Sequence, residues 1–142
     1  AIGNQRIPIA FYKPDGSLSQ ISNHIAQQSD IFPTILDLLN IETEYLAFGH
    51  SLLDNNKPKF AVSFVNSQYQ LVQGDWILQF KQDQVTALYE FKQDPLLKNN
   101  LLHDQTVNVL EQKSKMTLFI KAYIQQYNNR LIDDKLTVNA DE

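Results

Sequence analysis

The chain has 142 residues, 43% of them hydrophobic and 20% charged, which suits one domain or a portion of a larger one. A formal net charge of -4 and a pI near 5.3 argue against nucleic acid or an anionic membrane as the main partner. No apolar run approaches the roughly 20 residues a membrane helix needs, and with no cysteine there are no disulfides, thiolate metal sites or cysteine nucleophiles. Residues Ala1 to Gln5 lack the basic start and apolar core of a signal peptide. A start without Met suggests a processed or excised chain.

The first predicted element runs from Arg6 to Tyr12, a nearly continuous apolar stretch bounded by Lys13-Pro14-Asp15-Gly16. It reads as a strand buried on both faces, the kind found in parallel sheets. The rest of the chain offers no parallel partner for it. Pro14 to Ser17 is a turn. Lys13, Asp15 and His24 follow the carboxyl end of the predicted strand, where ligands of open α/β sheets lie, so they are candidates for an active-site rim. A solvated loop is the plainer reading of the same residues.

A short buried helix is expected over residues 29–41. Asp30 is placed as its N-cap and Pro33 in its first turn, where a missing N–H breaks no bond. Ile31, Ile35, Leu38 and Leu39 form one apolar face, and Asn40 is suited to the left-handed turn that ends it. Gly49 marks a tight backbone position. Asp54 to Pro58 is a polar boundary, and the domain division is placed there, into 1–56 and 57–142.

Short apolar runs at 60–65, 69–72, 76–80 and 85–91, joined by short polar turns, predict an antiparallel meander of about four strands. Trp76, Ile77 and Leu78 are adjacent, so at least one points away from any single buried face. Asp94-Pro95 turns the chain, and Asn100 is placed to bond backbone in the next turn. Asp104 is the expected cap of a helix over 105–131. Its stripe of Met116, Phe119, Ile120, Tyr123, Ile124, Tyr127 and Leu131 is expected to cover the sheet. A polar tail follows, in which Leu136 and Val138 can add a strand or dock locally. This chain is therefore read as α+β.

Chemistry is sparse. His24, His50 and His103 lie far apart without metal-ligand spacing. Four glycines, none clustered, make no phosphate loop, and there is no Gly-x-Ser-x-Gly elbow. Asp133-Asp134 reads as solvated tail.

The run Asp-Ile-x-Pro-Thr-Ile-Leu-x-Leu-Leu-x-Ile at residues 30–41, followed by Phe48-Gly49-His50-Ser51-Leu52-Leu53, resembles the late segment of the sulfatase and alkaline-phosphatase superfamily, in its lipoteichoic-acid-synthase-like branch. Leu88-Tyr89, then Asp94-Pro95, then Asn100-Leu101 extend the resemblance, which spans about residues 6–102. It implies an α/β parent fold, with residues 1–56 the tail of its catalytic core and 57–142 a C-terminal subdomain. Asp30, Pro33, Thr34, Gly49, Asp94 and Pro95 are then structural motif residues. It also implies a parent enzyme acting on sulfate or phosphate esters with a divalent metal (calcium, manganese, magnesium or zinc). In the family, the nucleophile and the Asp-His metal pair precede the segment that matches residues 6–12. This stretch is accordingly expected to hold no catalytic residue, metal or cofactor and to be inactive alone. Its expected partner is the rest of its own catalytic core, with homo-association through the unpaired strand as a further outcome. Neither nucleic acid nor membrane contact is expected of it. An extracytoplasmic, membrane-anchored parent is the location the resemblance implies. The alternative is a non-catalytic binding module on the same scaffold.

Overall fold

Residues 7–18 and 21–138 are described by a computed structural model. A 3-10 turn, Gln28–Asp30, leads into α1, Ile31–Leu38. Four strands follow, β1 (Phe60–Val65), β2 (Gln68–Gln73), β3 (Trp76–Lys81) and β4 (Gln84–Glu90), and then the long α2, Val107–Ile132. The strands form one antiparallel sheet in the order β1-β2-β3-β4. The expected α+β arrangement of short helix, four-stranded sheet and long C-terminal helix is thus present.

Hairpin chemistry fixes the meander. Asn66-Ser67 and Gln82-Asp83 each have two positive φ angles (53° and 60°, 46° and 63°), the geometry of the two-residue turn whose twist matches that of paired strands. Gly74, at φ 57°, opens the middle turn. A register shift at Gln79/Phe80 interrupts the β3–β4 ladder.

One face of the sheet presents Phe60, Leu71, Trp76, Leu78, Phe80 and Leu88 to Val109, Met116 and Ile120 of α2. Ile77 alternates to the other face and is nonetheless fully buried, as are its face-mates Ala87 and Gln70 nearly so. The middle of the sheet is therefore closed on both sides. The α2 stripe matches expectation through Met116, Ile120, Phe119, Tyr123 and Ile124, but Leu131 is exposed and Val109, unpredicted, is buried. Asp104 is not the α2 cap. Thr106 holds that position, and Asp104 Oδ1 accepts the Thr106 N–H at 2.7 Å. No strand forms over residues 133–138, and 139–142 lie outside the described residues.

Both sheet edges are closed locally. Asn100 Oδ1 accepts the amides of Leu88 (3.1 Å) and Leu102 (3.0 Å), while Leu101 N–H donates to Leu88 O at 2.8 Å. On β1, Val62 N–H donates to Gln27 Oε1 at 2.9 Å. The bonds at Leu88 and Val62 occupy edge groups that would otherwise template another chain.

Two expectations are corrected. Residues 7–13 form no strand: they carry no regular secondary structure and Tyr12 is 88% exposed. Arg6 lies outside the described residues. An apolar run becomes a buried strand only when neighbouring strands satisfy its backbone, and none does here. The apolar stripe of α1 faces inward only in part, with Ile31 and Leu38 half-buried and Ile35 and Leu39 exposed. Pro33 and Thr34 are its buried residues, whereas Phe32 (52%), Ile35 (39%) and Leu39 (61%) are exposed. Polar bonds through Thr34 orient the helix, and they outrank the periodicity of its aliphatic residues.

Candidate functional site

The helix α1 ends as its sequence requires. Asn40 takes φ 52°, Asn40 N–H donates to Asp37 O (3.1 Å) and Ile41 N–H to Leu36 O (2.9 Å). This pair of bonds is the helix-terminating motif that a left-handed residue permits. At the other end, Asp30 was expected to cap the helix. Its side chain makes no such bond. It is 1% exposed and accepts Gln27 N–H on Oδ2 and His50 N–H on Oδ1, both at 2.9 Å.

Asp30 therefore joins the start of the 3-10 turn to a loop twenty residues later. Thr34 makes the parallel connection one helical turn on. Its hydroxyl donates to Asp30 O at 2.6 Å and accepts Leu52 N–H at 2.9 Å. Gln27 completes the strap: Nε2 donates to Phe48 O at 3.2 Å while Oε1 accepts Val62 N–H on β1. Gly49 sits where any Cβ would run into Asp30 Oδ1 and lie 2.5 Å from Ser29 C and 2.6 Å from Ser29 O. Only a residue without a side chain lets the two segments meet, which accounts for the tight position read from sequence.

The strap continues into the core through aromatic rings. Phe48 packs on Tyr123 (5.9 Å between centroids) and Tyr127 (5.3 Å) of α2, and His50 on Phe60 (5.7 Å). Burial pushes the Tyr123 hydroxyl pKa up, and the Asp30 carboxylate adds to that. His50 Nε2 is buried without a hydrogen-bond partner among the described residues.

The predicted rim residues lie apart from this strap. Lys13 Nζ and Asp15 Oδ2 are 3.2 Å apart in an exposed turn. Asp15 also accepts the Ser17 amide (2.9 Å) and hydroxyl (2.7 Å), which hold its carboxyl down to about 2. His24 is exposed, and its backbone N–H donates to Ser22 Oγ at 3.3 Å. Asp94 and Pro95 turn the chain as expected: Asp94 Oδ2 accepts Asn99 N–H at 2.7 Å and Asp94 O accepts Leu97 N–H at 3.0 Å.

Among the described residues no group of three His, Cys, Asp or Glu side chains converges to hold a metal, and no helix is long and apolar enough to cross a membrane. The chemistry of the strap is hydrogen bonding that fixes one segment on another. Sequence reasoning found Asp30, Thr34 and Gly49 but missed Gln27, whose role rests on a bond to Val62 thirty-five positions away. Nothing local signals such a bond. Compared with protein-family models and with curated proteins, the chain matches none.

Proposed function

We propose that this chain is the C-terminal part of a metal-dependent sulfatase-like hydrolase or transferase of the lipoteichoic-acid-synthase-like branch, acting on sulfate or phosphate esters. In that reading its own role is to scaffold the catalytic core, not to react. The observation that carries it is the outward face of α1. Phe32, Ile35 and Leu39 recur at helical spacing on the solvent side, and Tyr45 packs edge-on to Phe32 at 5.8 Å. Exposed apolar side chains at this spacing, on a helix held by a buried polar strap, support the reading of a surface that another body covers. In this reading Asp30, Thr34 and Gly49 of the superfamily-like box serve as scaffold, through the bonds and the close approach of the strap. The parent's metal and nucleophile would come from outside the residues described, at an extracytoplasmic location.

The coding DNA upstream of Ala1 tests this directly. An in-frame Asp-His pair, with a serine, threonine or cysteine nucleophile box well before it, is the expected finding. A start codon immediately before Ala1 would overturn the reading. The purified 142 residues should not turn over an aryl sulfate or a phosphodiester with calcium, manganese, magnesium or zinc; metal-dependent turnover would contradict the scaffold role.

A further inference from the structure

The helix α2 carries a second stripe, on the side away from the sheet. Successive residues turn about 100° around a helix axis, so a position two residues from a core residue points almost directly away from the core. Leu118 stands two residues from both Met116 and Ile120, and Val107 two from Val109. Accordingly Val107 is 81% exposed and Leu118 69%, and Ile132 on the same line is 81% exposed. Single exposed aliphatic side chains are common on any surface and need no partner. These three belong to a pattern.

The outward line advances from Val107 to Ile132 in steps of three and four residues, and it is self-complementary about its midpoint. Laid antiparallel on a second copy, Val107 meets Ile132, Glu111 meets Asn129, Ser114 meets Gln125 and Leu118 meets Ala122. Apolar positions fall on apolar ones and polar on polar, in both halves at once, as a two-fold interface requires. All eight positions are exposed in the single chain.

Charge selects both the occupant and its direction. Glu111, in the second turn, is the only acid of α2, and Arg130 lies in the last turn. Over the C-terminal half, Ala122, Gln125, Gln126, Asn129, Arg130 and Lys135 line a shallow, open hollow. The antiparallel register sets Glu111 of one copy over Asn129 of the other, beside the cations of that hollow, and it does so twice. Opposed helix dipoles agree with this direction. A parallel pair would set Glu111 on Glu111 and Arg130 on Arg130. Lys121, next to the midpoint, has its Nζ 2.8 Å from Asp83 Oδ1, so its charge is already paired within each copy.

We propose that the outer stripe of α2 is an interaction surface for a second copy of this chain, joined as an antiparallel helix pair about a two-fold axis at the level of Phe119 and Ile120. The proposal does not rest on the superfamily reading, which concerns α1.

Sedimentation velocity tests it on the 142-residue chain carrying Phe32→Gln, Ile35→Gln and Leu39→Gln, so that association through α1 does not contribute. A monomer–dimer equilibrium is expected, with a Kd on the order of 10–100 μM, since few apolar side chains offset the cost of association. Leu118→Glu alone and Ala122→Lys alone should each weaken it at least about tenfold by burying an unpaired charge in the middle of the stripe. The two together should restore it to within about threefold, because the antiparallel register sets each new carboxylate on a new ammonium. A parallel pair would set like charges together and stay weak. A chain that stays monomeric up to about 500 μM leaves the stripe to a different protein or to water, and overturns the proposal. Unchanged association in Leu118→Glu, or a double variant no tighter than the single ones, would overturn it as well. If the α1 substitutions unfold the chain, the same series in the otherwise unaltered chain is read by the same criteria.

Discussion

The carboxylate of Asp30 holds the backbone N–H of His50 at 2.9 Å, closing a twenty-residue excursion that contains all of α1. A second oxygen on the same side chain holds Gln27 N–H, so one buried charge fixes both ends of the segment. Two backbone donors to one carboxylate are charge-assisted bonds, the strong kind.

Replacing Asp30 with Ala should therefore leave two amides without partners in a dry setting. A loss of about 3 kcal/mol of unfolding free energy is expected, from the usual cost of buried donors robbed of a charged acceptor. Urea denaturation of the two proteins measures it. A loss below about 1 kcal/mol would mean that the strap contributes little.

Gly49→Ala tests the same junction sterically. The added methyl would overlap Asp30 Oδ1 and lie 2.5 Å from the Ser29 carbonyl carbon, which is backbone and cannot rotate away. About 2–3 kcal/mol of destabilisation is expected, as for overpacked interior sites. Thermal unfolding followed by circular dichroism gives the answer, and an unchanged midpoint would show that the two segments can separate freely.

The outward face of α1 behaves in the opposite way. Phe32→Gln, Ile35→Gln and Leu39→Gln remove exposed apolar groups, so each should change stability by no more than about 1 kcal/mol, with Phe32 the largest because it also touches Tyr45. Concentration-dependent self-association, followed by analytical ultracentrifugation, should fall in the triple variant. Losses of several kcal/mol per site would instead make this face part of the core.

Tyr123 sets a limit at alkaline pH. Its folded pKa is raised, by burial first and by the Asp30 charge next, whereas in the unfolded chain the phenol ionises near its ordinary 10.0. The folded state thus holds its proton more tightly. That contribution is fully present below pH 10 and is lost as pH climbs above it through the folded value. Unfolding free energy should fall above pH 10 in the wild type and fall less steeply in Tyr123→Phe. Parallel curves for the two proteins would show that Tyr123 is not the group responsible.

The superfamily-like box illustrates what a short motif can and cannot disclose. Its punctuation was readable: Pro33 near the helix start, Asn40 at its end, Gly49 at a close approach. Asp30 was assigned to the wrong partners, because the amides it serves are those of Gln27 and His50, and a cap is the commoner use of an Asp before a helix. The hollow lined by Trp76, Glu90, Asp94 and Val109 had no signal at all, since these residues come from β3, β4, a turn and α2. Only packing brings those residues together.

Local chemistry alone therefore determined the meander, its turns and the covering helix. Alternation, paired positive-φ turn residues and a stripe at three and four residue steps are properties of neighbouring positions. The tertiary structure decided everything that depends on distance along the chain. It turned Ile35 and Leu39 of α1 outward because Thr34 bonds to Leu52, and it left residues 7–13 outside the sheet because no strand lies beside them. It buried Ile77 on the sheet's second face as fully as Leu78 on the first. Periodicity states which side chains share a face; which face is covered depends on the groups that reach it from elsewhere.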